Sequence, residues 1–293
     1  MDKVLSDYDI KHFIEHGYVQ VKECFSREVA HEWSDTAFVR LGYDRDDPAT
    51  WKEPRIHMPC SSEVKMEEFS LKLWRAVCEL LGGEDRVQQS FIWDSFIVNL
   101  CDGCDRVWEP PSATVLGWHK DGDSFRHFLD SPEEALLPII IWTDIAPRGG
   151  GTFIACDSIG VVARLLAQHP EGLLAEEFNF HRLTMQCNDF LEVIGDAGDV
   201  VLMHPFMLHA SSQNHSMKPR IITNPPIQLR EPMNFNRKDQ TDYSPVERAV
   251  LLGLGVERFD FRSTRPRERF VPERAHIEKQ LLEHERERLA SRL

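Results

Sequence analysis

In the first third of the chain, apolar residues recur every three or four positions, which predicts amphipathic helices. Three segments carry this pattern, at 6–17, 26–41 and 63–81. The first two open on a serine, a favoured N-cap, and the third stops at Gly82-Gly83, a typical helix end. Loops rich in Asp and Pro separate the segments, so the sequence predicts a helical N-terminal part over residues 1–85.

The middle of the chain changes to short runs of β-branched and aromatic residues, which are typical of strands. The predicted strands lie at 90–100, 113–118, 136–145, 151–156, 199–204 and 220–229, with a turn at 146–152 and one helix at 157–169. Several strands joined by short connections favour a sandwich or barrel rather than a parallel sheet. We place this core at about residues 90–230.

The strand pattern fades after Met233, and two further helices are predicted, at 244–254 and from 273 to the end. The last helix is highly charged, and we interpret its charge run as a solvated face with Glu–Arg pairs. A chain of 293 residues with 42% hydrophobic content can bury one large core. The prediction is therefore a single domain over 1–293, with a C-terminal helical extension at 244–293.

Charge and cysteine content narrow the function classes. A net charge of -14 argues against binding to nucleic acid or anionic membranes, which need clustered Lys and Arg. No apolar run approaches the roughly 20 residues that span a bilayer, and the first residues do not resemble a signal peptide. Seven scattered cysteines indicate reduced thiols and a cytoplasmic protein. The isolated Cys101-x-x-Cys104 is interpreted as a loop.

The stretch 117–125, GWHKDGDSF, contains the first candidate chemistry. In extended backbone, His119 and Asp121 point to the same side and could bind one metal. Two histidines and a carboxylate suit non-haem Fe(II) and leave open positions for co-substrate and O2. The segment 198–220 offers His204, His209 and His215 as a third ligand.

We prefer His209 because a small-residue turn follows it and Arg220 stands eleven positions later. An arginine on the neighbouring strand suits a bidentate clamp for a dicarboxylate. For His204 the competing interpretation is a core histidine. His215 lies in a turn and is expected to be exposed.

The order of these motifs resembles the phytanoyl-CoA dioxygenase-like family of Fe(II)/2-oxoglutarate-dependent dioxygenases. The similarity lies in WHKDGDSF, IIIWTDIAPRGGGTFIACDSIG and GDVVLMHPFMLHASSQNHSMKPR, and spans roughly residues 10 to 230. Two loops depart from the family: its P-G-S-H is CDSIG here, and its P-x-N-G is PRGGG. These differences near the mouth of the site leave the substrate class open.

The resemblance implies a mostly β fold with α, namely a double-stranded β-helix (jelly-roll, cupin-like) with flanking N- and C-terminal helices. His119, Asp121 and His209 would be the catalytic iron ligands. Arg220 would bind 2-oxoglutarate, and the other candidate co-substrate contacts are Ser211, Asn99 and Thr152. Candidate substrate contacts are Trp142, Arg126 and His57.

The resemblance also implies an enzyme that uses Fe(II), 2-oxoglutarate and O2 to oxidise a C–H bond of a small molecule. Hydroxylation, desaturation and cyclisation share this chemistry, and an amino acid or specialised metabolite is the expected substrate class. Two alternatives keep the same barrel: a cupin-like metal-binding protein, and a metalloenzyme that does not use 2-oxoglutarate. Arg220 distinguishes them from the oxygenase. Homodimer formation is left open.

Overall fold

The computed structural model describes residues 3–291, so the outermost residues of both predicted terminal segments lie outside it. Eight α-helices occur in this part of the chain: α1 Asp7–His16, α2 Arg27–Leu41, α3 Met66–Phe69, α4 Leu71–Leu81, α5 Ser158–Ala167, α6 Phe180–Thr184, α7 Pro245–Leu254 and α8 Glu273–Ala290. The predicted helix starts at 6, 26 and 244 are confirmed, because Ser6, Ser26 and Ser244 each accept a backbone N–H of the first turn.

Eleven strands are formed by residues 3–291: β1 Tyr18–Val21, β2 Arg55–His57, β3 Glu63–Lys65, β4 Phe91–Trp93, β5 Ile97–Asn99, β6 Leu137–Ile141, β7 Phe153–Ala155, β8 Phe190–Glu192, β9 Val200–Met203, β10 Leu208–Ala210 and β11 Arg220–Thr223. A six-stranded sheet has the order β1-β9-β6-β11-β5-β2, and a three-stranded sheet the order β10-β7-β8. β3 and β4 form a separate pair. All of these pairings are antiparallel.

The fold is mixed α/β, and the helices contain more residues than the strands. This differs from the expected mostly β composition because much of the predicted strand sequence forms loops around one cavity. Over residues 3–291 the sheets do not join into a closed barrel. No helix of this range has the length and apolar character needed to span a bilayer.

Two predicted elements differ from the structure. The segment 63–81 does not form one helix: it begins with β3, which pairs with β4, and Ser70 then separates α3 from α4 and caps α4. The strand predicted at 113–118 is wrong, because these residues form turns. Leu116 in this segment is 87% exposed. An apolar run becomes a strand only when a partner strand covers it, and none does here.

Only residues 220–223 of the strand predicted at 220–229 form a regular strand, but the pairing register continues beyond them. Ile222 and Thr223 pair with Ile141 and Ile140, and four residues later Ile227 still bridges Leu136 in the same register. The intervening Pro225 and Pro226 have no backbone N–H to donate to the ladder. The backbone from 220 to 227 is therefore one extended path along the sheet.

The charged helix α8 has no buried residue, as its solvated face predicts. It is nevertheless fixed by ion pairs to the rest of the protein. Glu285 binds the buried Arg40 of α2 at 2.6 Å, and Arg274 binds Asp123 through two hydrogen bonds. The C-terminal extension is thereby tied to the loop that contains His119 and Asp121.

Candidate functional site

The histidines at positions 119 and 209 are brought together by direct backbone pairing. Each donates its N–H to the carbonyl of the other at 2.9 Å, forming an isolated antiparallel bridge. Directly paired residues place their side chains on the same face, and the two imidazole centroids lie 4.3 Å apart. The loop 117–125 is thus joined to β10 at the position where the sequence predicts a shared site.

Each ring is oriented by a backbone carbonyl two residues before it. His119 Nδ1 lies 2.8 Å from Gly117 O, and His209 Nδ1 lies 3.1 Å from Met207 O. A carbonyl can only accept, so each Nδ1 carries a proton, and each Nε2 is left to donate to Asp121 when protonated or to bind a metal when neutral. Both Nε2 atoms face the same oxygen, Asp121 Oδ1, at 3.4 and 3.5 Å. The ligand atoms of the three residues lie within 4.8 Å of one another.

Asp121 is held by a residue that the sequence analysis did not select. Asn224 Nδ2 donates to Asp121 Oδ2 at 2.8 Å, which leaves Oδ1 facing the histidines. Gly122 follows with φ 109°, a conformation that favours glycine and turns the chain away immediately after the carboxylate. The only sequence signal for Asn224 is its place four residues after Arg220 on the same extended path.

The charges of the cluster perturb one another. Burial alone would raise the pKa of Asp121, but the facing histidines hold the pKa of this carboxyl well below its usual range. Burial lowers the pKa of His119, and the hydrogen bond and charge of Asp121 outweigh it, so the net shift is upward. The carboxylate is therefore ionised at neutral pH and attracts a cation. His204, in contrast, is fully buried, and burial lowers its pKa to about 3.

The three residues line a cavity of about 560 Å³, and Arg220 lines it as well. This arginine is the first residue of β11 and is 2% exposed. Its Nε donates to Gly150 O at 2.7 Å and its Nη1 to Ile97 O at 3.1 Å. Within residues 3–291, Nη2 has no acceptor and no carboxylate lies within ion-pair distance. Burial, followed by the charge of Arg55, lowers the pKa of Arg220 to about 10, so it is a cation at neutral pH.

Two of the predicted hydroxyl contacts line the same cavity. Thr152 precedes β7 and Ser211 follows β10. Because Phe153 pairs with Ala210, continuing the register by one residue places the two hydroxyl residues opposite each other. Neither hydroxyl has a protein partner among the hydrogen bonds of the described residues, so both are available to a bound molecule. His57 lines the cavity too, and burial lowers its pKa, with Arg55 and Arg220 adding to the effect.

Three predicted site residues do not line the cavity. Asn99 is fully buried, and its side chain donates to Ser212 O and accepts from Asp102 N, so its role is to fix the loop. Trp142 is 1% exposed, donates to Thr223 Oγ1 and stacks on Trp33 at 4.6 Å. Its assignment to the substrate is corrected because it belongs to the core between the sheet and α2.

The predicted contact of Arg126 with the substrate is also corrected, because the guanidinium of Arg126 has protein partners. Its Nε binds Glu268 at 2.9 Å, Glu177 lies 3.8 Å from Nη1, and Gly172 O accepts a further hydrogen bond. The guanidinium is thus used to attach the C-terminal extension. Lys120, between His119 and Asp121, also has protein partners: its Nζ donates to Glu134 at 3.1 Å and lies 3.0 Å from His127 Nδ1.

Comparison with known proteins found no matching family model and no matching curated protein. Solved structures with similarity include AviO1 from Streptomyces viridochromogenes Tue57, at 13% identity over 78% of this chain and 96% of that one, with a TM-score of 0.47. The non-haem alpha-ketoglutarate-dependent carbocyclase SnoK from nogalamycin biosynthesis shares 18% identity over 78% of this chain and 86% of that one, with a TM-score of 0.46.

A third similar structure is HygX from Streptomyces hygroscopicus with nickel and 2-oxoglutarate bound. It shares 15% identity over 76% of this chain and 87% of that one, with a TM-score of 0.43. Similarities this distant do not assign the chain to a family.

Proposed function

We propose that the protein is a non-haem Fe(II)/2-oxoglutarate-dependent oxygenase that oxidises a C–H bond of a small molecule. The observation that carries the proposal is the presence, in one cavity, of the His119, Asp121, His209 cluster and of a buried arginine that has no acidic partner among residues 3–291. A metal site alone would not need Arg220. A buried, unpaired cation beside a metal site calls for an anionic co-substrate.

The donor set fits Fe(II). Two imidazole Nε2 atoms and one carboxylate oxygen converge on one point, and the second carboxylate oxygen is occupied by Asn224. This arrangement offers three ligands on one side and leaves the cavity side open, as non-haem iron enzymes require. When bound, Fe(II) with 2-oxoglutarate would supply the O2-dependent oxidative decarboxylation that provides the oxidising power for C–H cleavage.

The residues of the chain then divide the remaining tasks. Arg220 would bind the distal carboxylate of 2-oxoglutarate through its free Nη2, with Thr152 and Ser211 as neutral hydrogen-bonding partners. Asn224 would keep Asp121 in its orientation. Leu137, Ile139 and Ile222, also in the lining, would exclude water from the co-substrate pocket.

The fold part of the proposal follows the same resemblance. We assign residues 1–293 to one domain whose core, at about 90–230, is a double-stranded β-helix (jelly-roll), flanked by the helical parts at 1–85 and 244–293. Side chains from both antiparallel sheets line one cavity, which supports this assignment. A cytoplasmic location and a substrate that is an amino acid or specialised metabolite belong to the same proposal.

The direct test is turnover. Purified protein reconstituted with Fe(II) should release succinate and consume O2 only when 2-oxoglutarate is present, and a chelator should stop both. The His119→Ala variant is the matched control. Metal binding without 2-oxoglutarate turnover would favour a cupin-like binding protein, and O2 uptake that is independent of 2-oxoglutarate would favour a metalloenzyme of another type. Either result would overturn the proposal.

A further inference from the structure

Two arginines line the cavity without a carboxylate partner in the described residues, Arg220 and Arg269. Arg220 is buried and Arg269 is exposed, so the two arginines line the inner and the solvent-facing parts of the cavity. The proposed function uses Arg220 and leaves Arg269 without a role.

Two arginines close to Arg269 in the sequence do have carboxylate partners. Arg267, two residues earlier, binds Asp130 at 2.6 Å. Arg274, five residues later, binds Asp123 through two hydrogen bonds and Glu278 at 3.1 Å. Arg269 thus differs from these two neighbours, although Arg265 in the same extension also has no ion pair among the described residues.

Arg269 is held in place by its backbone and by an amide. It bridges Phe125 in an antiparallel pairing, in which Phe270 N donates to Ser124 O at 2.7 Å and Arg126 N donates to Glu268 O at 3.0 Å. Its Nη2 donates to Gln228 Oε1 at 3.1 Å. The remaining guanidinium N–H groups and the Gln228 Nε2 have no protein acceptor within residues 3–291, and both residues line the cavity.

The position of Gln228 in the chain shows at which end of the cavity the Arg269–Gln228 pair lies. Every second residue from 220 to 228 lines the cavity, namely Arg220, Ile222, Asn224, Pro226 and Gln228. At about 3.3 Å per residue in extended backbone, Arg220 and Gln228 each lie roughly 13 Å along the chain from Asn224. Asn224 binds Asp121, so the two unpaired arginines are at opposite ends, with the metal ligands between them.

We infer that Arg269 and Gln228 form the substrate-recognition end of the cavity and bind a carboxylate group of the substrate. The inference rests on the proposed function, because that function assigns the other end to 2-oxoglutarate. A guanidinium and an amide N–H suit a planar carboxylate. Acidic residues also line the cavity, namely Asp121, Asp123, Glu133, Glu134 and Glu278, and they disfavour a group with more than one negative charge.

The first experiment needs no knowledge of the substrate. The protein is loaded with Fe(II) and saturating 2-oxoglutarate without O2, treated with the arginine reagent phenylglyoxal, and digested for peptide mass spectrometry. Butyrate at tens of millimolar should slow labelling of Arg269 at least about twofold, as expected near half-saturation of a weak site. Neutral butyramide should have no effect, and labelling of the exposed Arg262 should be the same in all samples. Equal labelling of Arg269 with and without butyrate would overturn the inference.

The second experiment measures recognition during turnover. A panel of small carboxylic acids and their carboxamides is screened for stimulated succinate release. For the best carboxylate, Arg269→Gln should raise KM about tenfold or more, equivalent to losing about 1.4 kcal/mol, and Arg269→Lys should recover part of this loss. Arg262→Gln, in the same extension and exposed, is the control. A best substrate without a carboxylate, or an unchanged KM in Arg269→Gln, would contradict the inference.

The two proposals fail in different ways. If iron binding and 2-oxoglutarate consumption are absent, the proposed function fails, although butyrate could still protect Arg269. If the iron and 2-oxoglutarate readouts are normal in wild type and in Arg269→Gln while carboxylates have no advantage over amides, only the substrate inference fails.

Discussion

Both faces of the central strands β6, β9 and β11 are buried, but the two faces differ in whether their polar groups have partners. On the face toward α2, Trp142 donates to Thr223 and stacks on Trp33. On the cavity face, Arg220 and Ile222 of β11 line the cavity, and Arg220 Nη2 has no acceptor among residues 3–291. Burial alone therefore does not distinguish the core from the site. What distinguishes Arg220 is that its unpartnered group faces the cavity.

Two of the three histidines in the segment 198–220, His204 and His209, show the same contrast. His204 follows β9 and is packed between α1 and α7, where its Nδ1 accepts from Phe206 N and its Nε2 lies 3.3 Å from Val246 O. His209 uses only Nδ1, and its Nε2 faces Asp121. Both nitrogen atoms of the core histidine have partners, whereas the site histidine keeps one free.

The strongest test of the contrast compares these two histidines. His209→Ala should remove Fe(II) binding and activity below detection while the free energy of unfolding of the metal-free protein changes little. His204→Ala should keep metal binding but lose about 1–3 kcal/mol of stability, because a backbone N–H is left unpaired in the core. Metal titration and denaturant unfolding of both variants give the answer. Iron binding that depends on His204 and not on His209 would show that His204 is the third ligand.

A second prediction concerns the aromatic face. Trp142→Ala should destabilise the protein by about 3–5 kcal/mol, since a large, fully buried side chain and its stacking partner are lost. The KM values of the folded fraction should stay at the wild-type level. Normal stability together with a changed substrate KM in Trp142→Ala would indicate that Trp142 contacts the substrate.

A third prediction concerns the charge on the cavity face. Arg220→Ala should weaken 2-oxoglutarate binding by about 2–5 kcal/mol, the range for loss of one member of a buried charge pair. Fe(II) binding should be retained, because Arg220 does not contact the three ligands. Arg182→Ala, an exposed arginine of α6, serves as the control in the same KM measurement. Wild-type affinity in Arg220→Ala would require a different anchor for the carboxylate.

The smallest expected effect is that of Asn224. Asn224→Ala should lower Fe(II) affinity about tenfold, within the range for partners that orient metal ligands, and should raise the amount of 2-oxoglutarate consumed per substrate oxidised. Asn224→Asp should be worse than Asn224→Ala, because it places a second negative charge beside Asp121. The exposed Asn236→Ala provides the comparison. Unchanged metal affinity and coupling in both Asn224 variants would show that Asp121 needs no support from this amide.

The sequence predicted the elements with strong local signals and the residues whose spacing is tied to chemistry. Serine caps and Gly82-Gly83 marked helix ends, and the His119, Asp121, His209 and Arg220 positions converge on one cavity. Trp142 was misassigned because β6, β9 and β11 are buried on both faces, so no alternation of polar and apolar residues indicates which side faces the cavity.

Other features depend on contacts between distant segments and had no local signal. Asn224 is polar and follows a strand, which fits many loop residues equally well. Asp123 could have been a solvated turn acid, and its pairing with Arg274 joins positions 151 residues apart. Arg269 reaches the cavity because its backbone bridges Phe125, which is a contact between distant positions.

We propose that the histidine–aspartate cluster and Arg220 together form one binding site for a metal and 2-oxoglutarate. Calorimetric titration without O2 in wild type, His209→Ala and Arg220→Ala measures both affinities. We predict that wild type binds 2-oxoglutarate tightly only after Fe(II) has been added, that His209→Ala binds neither, and that Arg220→Ala binds Fe(II) normally but 2-oxoglutarate weakly. Equal 2-oxoglutarate affinity with and without Fe(II), or in wild type and Arg220→Ala, would contradict the claim.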